Sequence, residues 1–164
     1  MFPSMYPVLG VYSIFLAHPS SATLPDIDSW AQTIVSFYPQ MSVESVVPAR
    51  VSMRNHLGSV GGWEAWYRWV AGAKDLAGQP VYSVMICPKQ WVGKRTYRLV
   101  EEFLRVGKPV YFLDGDGLTP VVEVKIDDGA ERDANGEPLN WSSSWVLCPA
   151  AEPDGAWENG TWNP

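Results

Sequence analysis

The sequence predicts an α/β fold organised around a mostly parallel β-sheet. Residues 81–87 and 109–113 are apolar runs rich in β-branched and aromatic side chains, which is typical of buried strands. Between these runs, apolar residues recur at helical spacing. A strand, a helix and a second strand in this order form a crossover unit, and such a unit joins two parallel strands. We therefore expect residues 81–114 to form the centre of the sheet.

The helix inside this unit has recognisable ends. Gly93 opens it after a loop, Gly107 occupies the position of a left-handed C-terminal cap, and Pro109 prevents continuation. Its charged residues recur at spacings that let opposite charges meet, which is typical of a solvated helix face. They are Lys94, Arg95, Arg98, Glu101, Glu102 and Arg105.

The residues before the crossover unit predict two further strands and two further helices. The first strand is nearly continuous in apolar character, as expected of a strand buried on both faces. The helix after it has Asp26 or Asp28 as its expected N-terminal cap. In chain order we expect a strand at 8–17, a helix at about 26–38, a short strand at 43–48, a loop at 49–62 and a helix at about 63–73.

The character of the chain changes after Asp114. Residues 121–126 alternate as a strand does, 127–138 read as a polar hairpin loop with an Asn-Gly turn signal, and 145–148 read as the returning strand. We therefore divide the chain into an α/β domain at 1–114, a β-hairpin extension of the same domain at 115–148, and a flexible C-terminal tail at 149–164.

Composition narrows the classes of partner. The chain has 164 residues and a net charge of −6, so no basic stripe is expected for a nucleic-acid backbone, and a small ligand or a protein is the expected partner. Two widely spaced cysteines predict neither a metal cluster nor a disulfide framework, which indicates a reducing compartment such as the cytoplasm. The apolar run near the N-terminus is too short to span a bilayer, so we expect no membrane association.

Nine tryptophans are the unusual feature of the composition. Side chains of this size fill cores, line ligand pockets or anchor interfaces between subunits. Composition alone does not choose among these roles.

Three stretches resemble the nucleoside 2-deoxyribosyltransferase-like family, in particular a branch found in bacteria and phages. Residues 14–19 (IFLAHP) resemble its first-strand motif, and 62–66 (GWEAW) resemble a Trp-x-x-Trp motif that opens a helix. Residues 91–96 (WVGKRT), followed by a helix and by 107–110 (GKPV), resemble its loop, helix and strand near the active site. The resemblance covers roughly residues 8–113.

This resemblance implies a flavodoxin-like or Rossmann-like three-layer sandwich, a homo-oligomer, no metal and no organic cofactor. It also implies cleavage of an N-glycosidic bond by a glutamate that attacks the sugar. That glutamate should lie near Arg98 or Leu99, and an aspartate near Val70, but none of these residues is an acid. Glu101, displaced by about 4.5 Å along the helix, is the nearest candidate nucleophile.

The candidate substrate-binding residues follow from the same motifs. Tryptophans can stack on a base, His18 can titrate near neutral pH, and a cation at a helix start can hold a phosphate. The candidate residues are Ser13, Ala17, His18, Trp63, Trp66, Trp91, Gly93, Lys94 and Arg98.

These observations leave alternative functions open. The first is deoxyribosyl transfer or hydrolysis of a nucleoside or nucleotide in the cytoplasm of a bacterial or phage-infected cell. The second is a catalytically inactive relative that binds a nucleotide-like ligand or a protein. A third is a phage accessory protein whose aromatic residues 141–162 dock on another chain. The environment of Glu101 separates them, because a catalytic carboxylate should open into a pocket and a structural one should pair with Arg98 or Arg105.

Overall fold

The computed structural model describes residues 13–38, 41–57, 62–115, 117–149, 156–158 and 161–163. The first part of the predicted strand at 8–17 lies outside these ranges. No helix in the described ranges is long and apolar enough to cross a membrane.

A seven-stranded mixed sheet forms the centre of the protein. Its strands are β1 (Ser13–Leu16), β2 (Val46–Pro48), β3 (Tyr82–Cys87), β4 (Trp91–Val92), β5 (Val110–Asp114), β6 (Gly117–Ile126) and β7 (Trp145–Pro149). Their spatial order is β2-β1-β3-β5-β6-β7-β4. Strands β2, β1, β3 and β5 are parallel to one another. The pairs β5–β6, β6–β7 and β7–β4 are antiparallel. The α/β class and the central crossover are confirmed, but the sheet is parallel only in part.

The described residues form four α-helices: α1 (Leu24–Val35), α2 (Ala49–Leu57), α3 (Gly62–Gly72) and α4 (Lys94–Arg105). The cap expected at Asp26 or Asp28 is wrong for α1. Thr23 is the cap: its hydroxyl accepts the Asp26 N–H, and the carboxylate of Asp26, the third helical residue, accepts the Thr23 N–H, so the two form a capping box. The ends of α4 are as predicted, with Gly93 before the helix and Gly107 at a φ of +79° after it.

Two apolar cores lie on the two faces of the sheet. Successive side chains of a strand point to opposite faces, so Phe15 enters one core, while Ile14 and Leu16 enter the other. The Phe15 core contains buried residues of α3 and α4, and the other core contains buried residues of α1. Helices therefore contribute buried residues to the cores on both faces of the sheet.

Residues 49–57 form helix α2, so the loop expected at 49–62 is wrong over this part. The contacts that hold α2 come from distant parts of the sequence. Nε2 of His18 accepts a hydrogen bond from the Arg50 N–H, and the Ser52 hydroxyl accepts one from the Trp66 indole. Residues 58–61 lie outside the described ranges.

The predicted hairpin extension continues the sheet. Its strands β6 and β7 pair with each other, and β7 also pairs with β4, a two-residue strand that the sequence did not predict. Trp145 of β7 is fully buried and stacks on Tyr97 of α4, with ring centroids 5.5 Å apart.

Two short strands lie within the predicted C-terminal tail. Residues Ala156–Glu158 (β8) and Thr161–Asn163 (β9) pair as a separate two-stranded antiparallel sheet. The remaining residues from 150 onward lie outside the described ranges.

Candidate functional site

A cleft of about 740 Å³ opens at the carboxyl ends of β1 and β3. In the sheet, β2 lies on one side of β1, and β3 lies on the other side of β1. The loops that leave these strands therefore diverge, and ligands of open α/β sheets bind at such a point. The residues around the opening come from the loops after β1 and β3, from the first turns of α2, α3 and α4, and from the hairpin loop at 141–143. This volume is in the range of small-molecule sites.

Tryptophans form much of the apolar wall of the cleft. Trp63, Trp66 and Trp91, which the sequence named as candidates, all line it, together with Trp141. The Trp66 ring is buried in the core, whereas Trp91 and Trp141 are 49% and 58% exposed. Trp91 and Trp141 therefore offer the accessible ring surface.

The cleft carries positive charge although the chain is acidic. Glu64 is the only carboxylate among the described residues that line it. The cationic lining residues are Arg50, Lys89, Lys94, Arg95 and Arg98.

Three of these cations lack a carboxylate partner within the described ranges, namely Arg50, Lys89 and Arg95. The Arg50 guanidinium donates instead to the carbonyl oxygens of Ser20 and Ala22. The Arg95 guanidinium lies 3.6 Å from the centroid of the Trp63 ring. This stacking leaves the N–H groups at the edge of the guanidinium available to a ligand. Sequence periodicity placed Arg95 on the solvated face of its helix and did not single out Lys89, because only the folded chain brings these cations beside the tryptophans.

Lys94 holds the hairpin loop against the start of α4. Its ammonium group pairs with Glu137 at 3.3 Å and lies 4.5 Å from the centroid of the Trp141 ring. Its backbone N–H donates to the carbonyl oxygen of Trp141 at 3.0 Å. A phosphate bound by the Lys94 ammonium group, as predicted from sequence, would thus have to compete with Glu137 and Trp141 for that group.

Gly93 allows this close approach of loop and helix. A Cβ atom at position 93 would lie 2.8 Å from the carbonyl oxygen of Trp141, which is closer than van der Waals contact permits. The backbone of Gly93 is extended, with a φ of −86°, so the constraint is the space rather than the backbone conformation.

Arg98, the other predicted phosphate ligand, links α3 to α4. Its Nη2 and Nε donate to the two carboxylate oxygens of Glu64 at 2.7 and 3.3 Å, and its Nη1 donates to Glu101 at 2.6 Å. These hydrogen bonds raise the pKa of Arg98, and the Arg98 guanidinium lowers the pKa of Glu64. Both groups are charged at neutral pH, and the charge of Arg98 is already balanced.

Glu101, the candidate nucleophile, lies outside the cleft. One carboxylate oxygen accepts the hydrogen bond from Arg98, and the other accepts one from the Tyr97 hydroxyl at 2.9 Å. It borders a separate surface depression between α4 and β6. Glu101 therefore has the paired environment that the sequence analysis associated with a structural carboxylate.

His18 borders the cleft, but both of its ring nitrogens are engaged. Nδ1 lies 2.9 Å from the carbonyl oxygen of Pro19, and Nε2 accepts the N–H of Arg50 at 3.1 Å. The carbonyl can only accept, so Nδ1 carries the proton and the ring is the neutral tautomer. His18 is 6% exposed, and burial, assisted by the charge of Arg50, lowers its pKa below the ordinary value of 6.5.

Ser13, a predicted substrate contact, is not among the residues that line the cleft. It begins β1 and donates its backbone N–H to Val81, whereas the cleft lies beyond the other end of this strand. Ala17 is buried just beyond that end and does line the cleft.

The described residues include no group of three or more His, Cys, Asp or Glu side chains placed to hold a metal ion. Comparison of the chain with family models, with curated proteins and with solved structures gives no match. The resemblance to the nucleoside 2-deoxyribosyltransferase-like family therefore stays a prediction from sequence.

Replacing Gly93 by alanine should loosen the hairpin loop. The added Cβ forces the Trp141 carbonyl away from α4, and we expect a loss of about 1–3 kcal/mol in the free energy of unfolding, as for other overpacked sites. Urea denaturation measures this loss. Gly72→Ala is the matched control, since a Cβ at Gly72 meets no atom within 4 Å. Equal stability of the two variants would contradict the close approach.

The neutral state of His18 should make stability depend on pH. Because the pKa is lowered in the folded chain, the contribution of His18 is complete above about pH 6.5 and is lost as the pH falls through the folded-state pKa. The loss cannot exceed about 1.4 kcal/mol per pH unit for one proton.

His18→Gln keeps a hydrogen-bond acceptor for the Arg50 N–H but does not titrate. Denaturation curves from pH 7.5 to 5 should therefore fall less steeply for this variant than for the unmodified protein. Identical slopes would mean that His18 is not held neutral in the folded state.

Proposed function

We propose that the protein binds a nucleoside or nucleotide-like ligand in the cleft, without breaking its N-glycosidic bond. The observation that supports this proposal is a cleft that is lined by cations and exposed tryptophans although the chain as a whole is acidic. The cleft lies where the loops after β1 and β3 diverge. A planar ring would stack on Trp91 or Trp141, and a negatively charged group would meet Arg95 and Lys89.

The aromatic lining supports a ligand with a planar ring. Trp91 and Trp141 leave about half of their surface exposed, so their rings are not fully used in the core. Stacking of a base on an aromatic side chain contributes about 1–3 kcal/mol and does not depend on the identity of the base. Tryptophans thus supply affinity, and polar neighbours would supply the choice of ligand.

The charges support a ligand that is also anionic. Arg95 and Lys89 lack carboxylate partners within the described ranges, and Arg95 is already oriented by its stacking on Trp63. A guanidinium fixed in this way loses little conformational entropy when it binds a phosphate or carboxylate. Long-range attraction by the cationic cleft would also speed association.

The positions of the expected acids support binding without catalysis. Leu99 and Val70 are buried apolar residues where the family resemblance implies acids, and Glu101 is paired outside the cleft. A displacement of one helical turn is large for covalent catalysis, which tolerates little misplacement.

N-glycosidic bond cleavage is the second candidate function, and Glu64 is the observation that favours it. Glu64 is an ionised carboxylate on the wall of the cleft, which is the group that nucleophilic attack on a sugar requires. Under either function we propose a flavodoxin-like or Rossmann-like three-layer arrangement, a homo-oligomer and a cytoplasmic location in a bacterial or phage-infected cell.

A panel of nucleosides and nucleoside monophosphates tests the proposal. We expect at least one compound to raise the melting temperature of the protein, and we expect no free base by chromatography. Trp91→Ala should weaken binding by a factor of about 5 to 100, as loss of one stacked base predicts. Arg95→Gln should weaken binding of the monophosphates most.

Arg132→Gln in the exposed part of the hairpin loop is the matched control and should leave affinity unchanged. Release of free base would favour the second candidate. No binding by any compound, or equal affinity of Trp91→Ala and the unmodified protein, would contradict the proposal.

A further inference from the structure

A chain of four side chains runs from the outside of α4 into the cleft. The Tyr97 hydroxyl donates to Glu101, Arg98 donates to Glu101, and Arg98 also donates to both oxygens of Glu64. The distances along this chain lie between 2.6 and 3.3 Å. Each member is held by the next, and Arg98 and Glu64 are the members that line the cleft.

Glu64 keeps capacity for a ligand after Arg98 has bound it. Its side chain is 57% exposed, and a carboxylate has about four lone-pair positions, of which Arg98 occupies two. Because the group is ionised, it can only accept hydrogen bonds, so its partner on a ligand must be a donor. Glu64 was not among the residues predicted from sequence, since only the fold brings it to the cleft.

The surroundings of Glu64 favour a neutral donor over a cationic one. Arg98 and Arg95 lie on the first turns of α4, and both line the same cleft as Glu64. A ligand ammonium group beside two guanidinium groups would be repelled, whereas hydroxyl groups would not. Two adjacent hydroxyls on a ring also match the two oxygens of one carboxylate.

We propose that Glu64 accepts hydrogen bonds from the sugar hydroxyls of the ligand, and that the cleft thereby selects ribose over sugars without these hydroxyls. This inference rests on the proposed binding of a nucleoside or nucleotide. Arg98 and Glu101 are positioning residues, because they orient the Glu64 carboxylate and Glu101 does not line the cleft. The candidate nucleophile of the sequence analysis thus acts on ligand choice at a distance.

Calorimetric titration with three forms of one nucleoside monophosphate tests the inference: the ribose, the 2′-deoxy and the 2′,3′-dideoxy forms. A hydrogen bond to a charged group is worth about tenfold in affinity at a partly exposed site. We therefore expect the ribose form to bind about tenfold more tightly than the dideoxy form. Glu64→Ala should reduce this ratio to about one without weakening the binding of the dideoxy form.

Glu101→Ala separates positioning from direct contact. This substitution removes one carboxylate partner of Arg98 but keeps Glu64. The ratio of ribose to dideoxy affinity should therefore fall only in part. Glu131→Ala, an exposed acid in the hairpin loop, is the matched control and should leave the ratio unchanged. Melting temperatures of all variants establish that each is folded.

The two ways of failing are distinguishable. If the monophosphates bind but the three forms bind equally, or the ratio survives in Glu64→Ala, the inference is overturned and the proposed function stands. If no form binds to the unmodified protein, the proposed function fails and the inference fails with it.

Discussion

The contact between the hairpin loop and the start of α4 creates the cleft. Gly93 leaves the space, the Lys94 N–H binds the Trp141 carbonyl, and Trp145 stacks on Tyr97 one helical turn further along α4. Without this contact, residues 141–143 of the hairpin loop would not form a wall of the cleft beside the loop after β3. The extension that follows the α/β part of the chain is therefore an integral part of the candidate site.

A second constraint is the balance of charge around Arg98. The Arg98 guanidinium is shared among carboxylates of α3 and α4, so it joins these two helices and contributes no free positive charge to a ligand. Among the described lining cations, Arg95 and Lys89 lack a carboxylate partner, and Arg50 donates to backbone carbonyl oxygens instead. An acidic chain can thus present a local positive surface, because its many carboxylates lie elsewhere or are paired.

Local patterns in the sequence predicted the parts of the fold that local physics controls. The crossover unit and the ends of α4 at Gly93 and Gly107 depend on periodicity and backbone preference within one segment. Helix α2 escaped prediction because its contacts come from His18 and Trp66, which are distant in sequence. Of the residues that line the candidate cleft, the sequence named three tryptophans and the start of α4, whereas the partners of Glu101 and Arg98 required three-dimensional positions.

The proposed stacking of a planar ligand on Trp91 or Trp141 is reported most directly by the indole N–H signals of these tryptophans. In a ¹⁵N-labelled protein titrated with a nucleoside monophosphate, the signals of Trp91 and Trp141 should shift, with Trp91→Phe and Trp141→Phe variants used to assign them. The signal of Trp145, which is fully buried on β7, should move least. Shifts confined to tryptophans outside the cleft, or no shifts at millimolar ligand, would contradict the account.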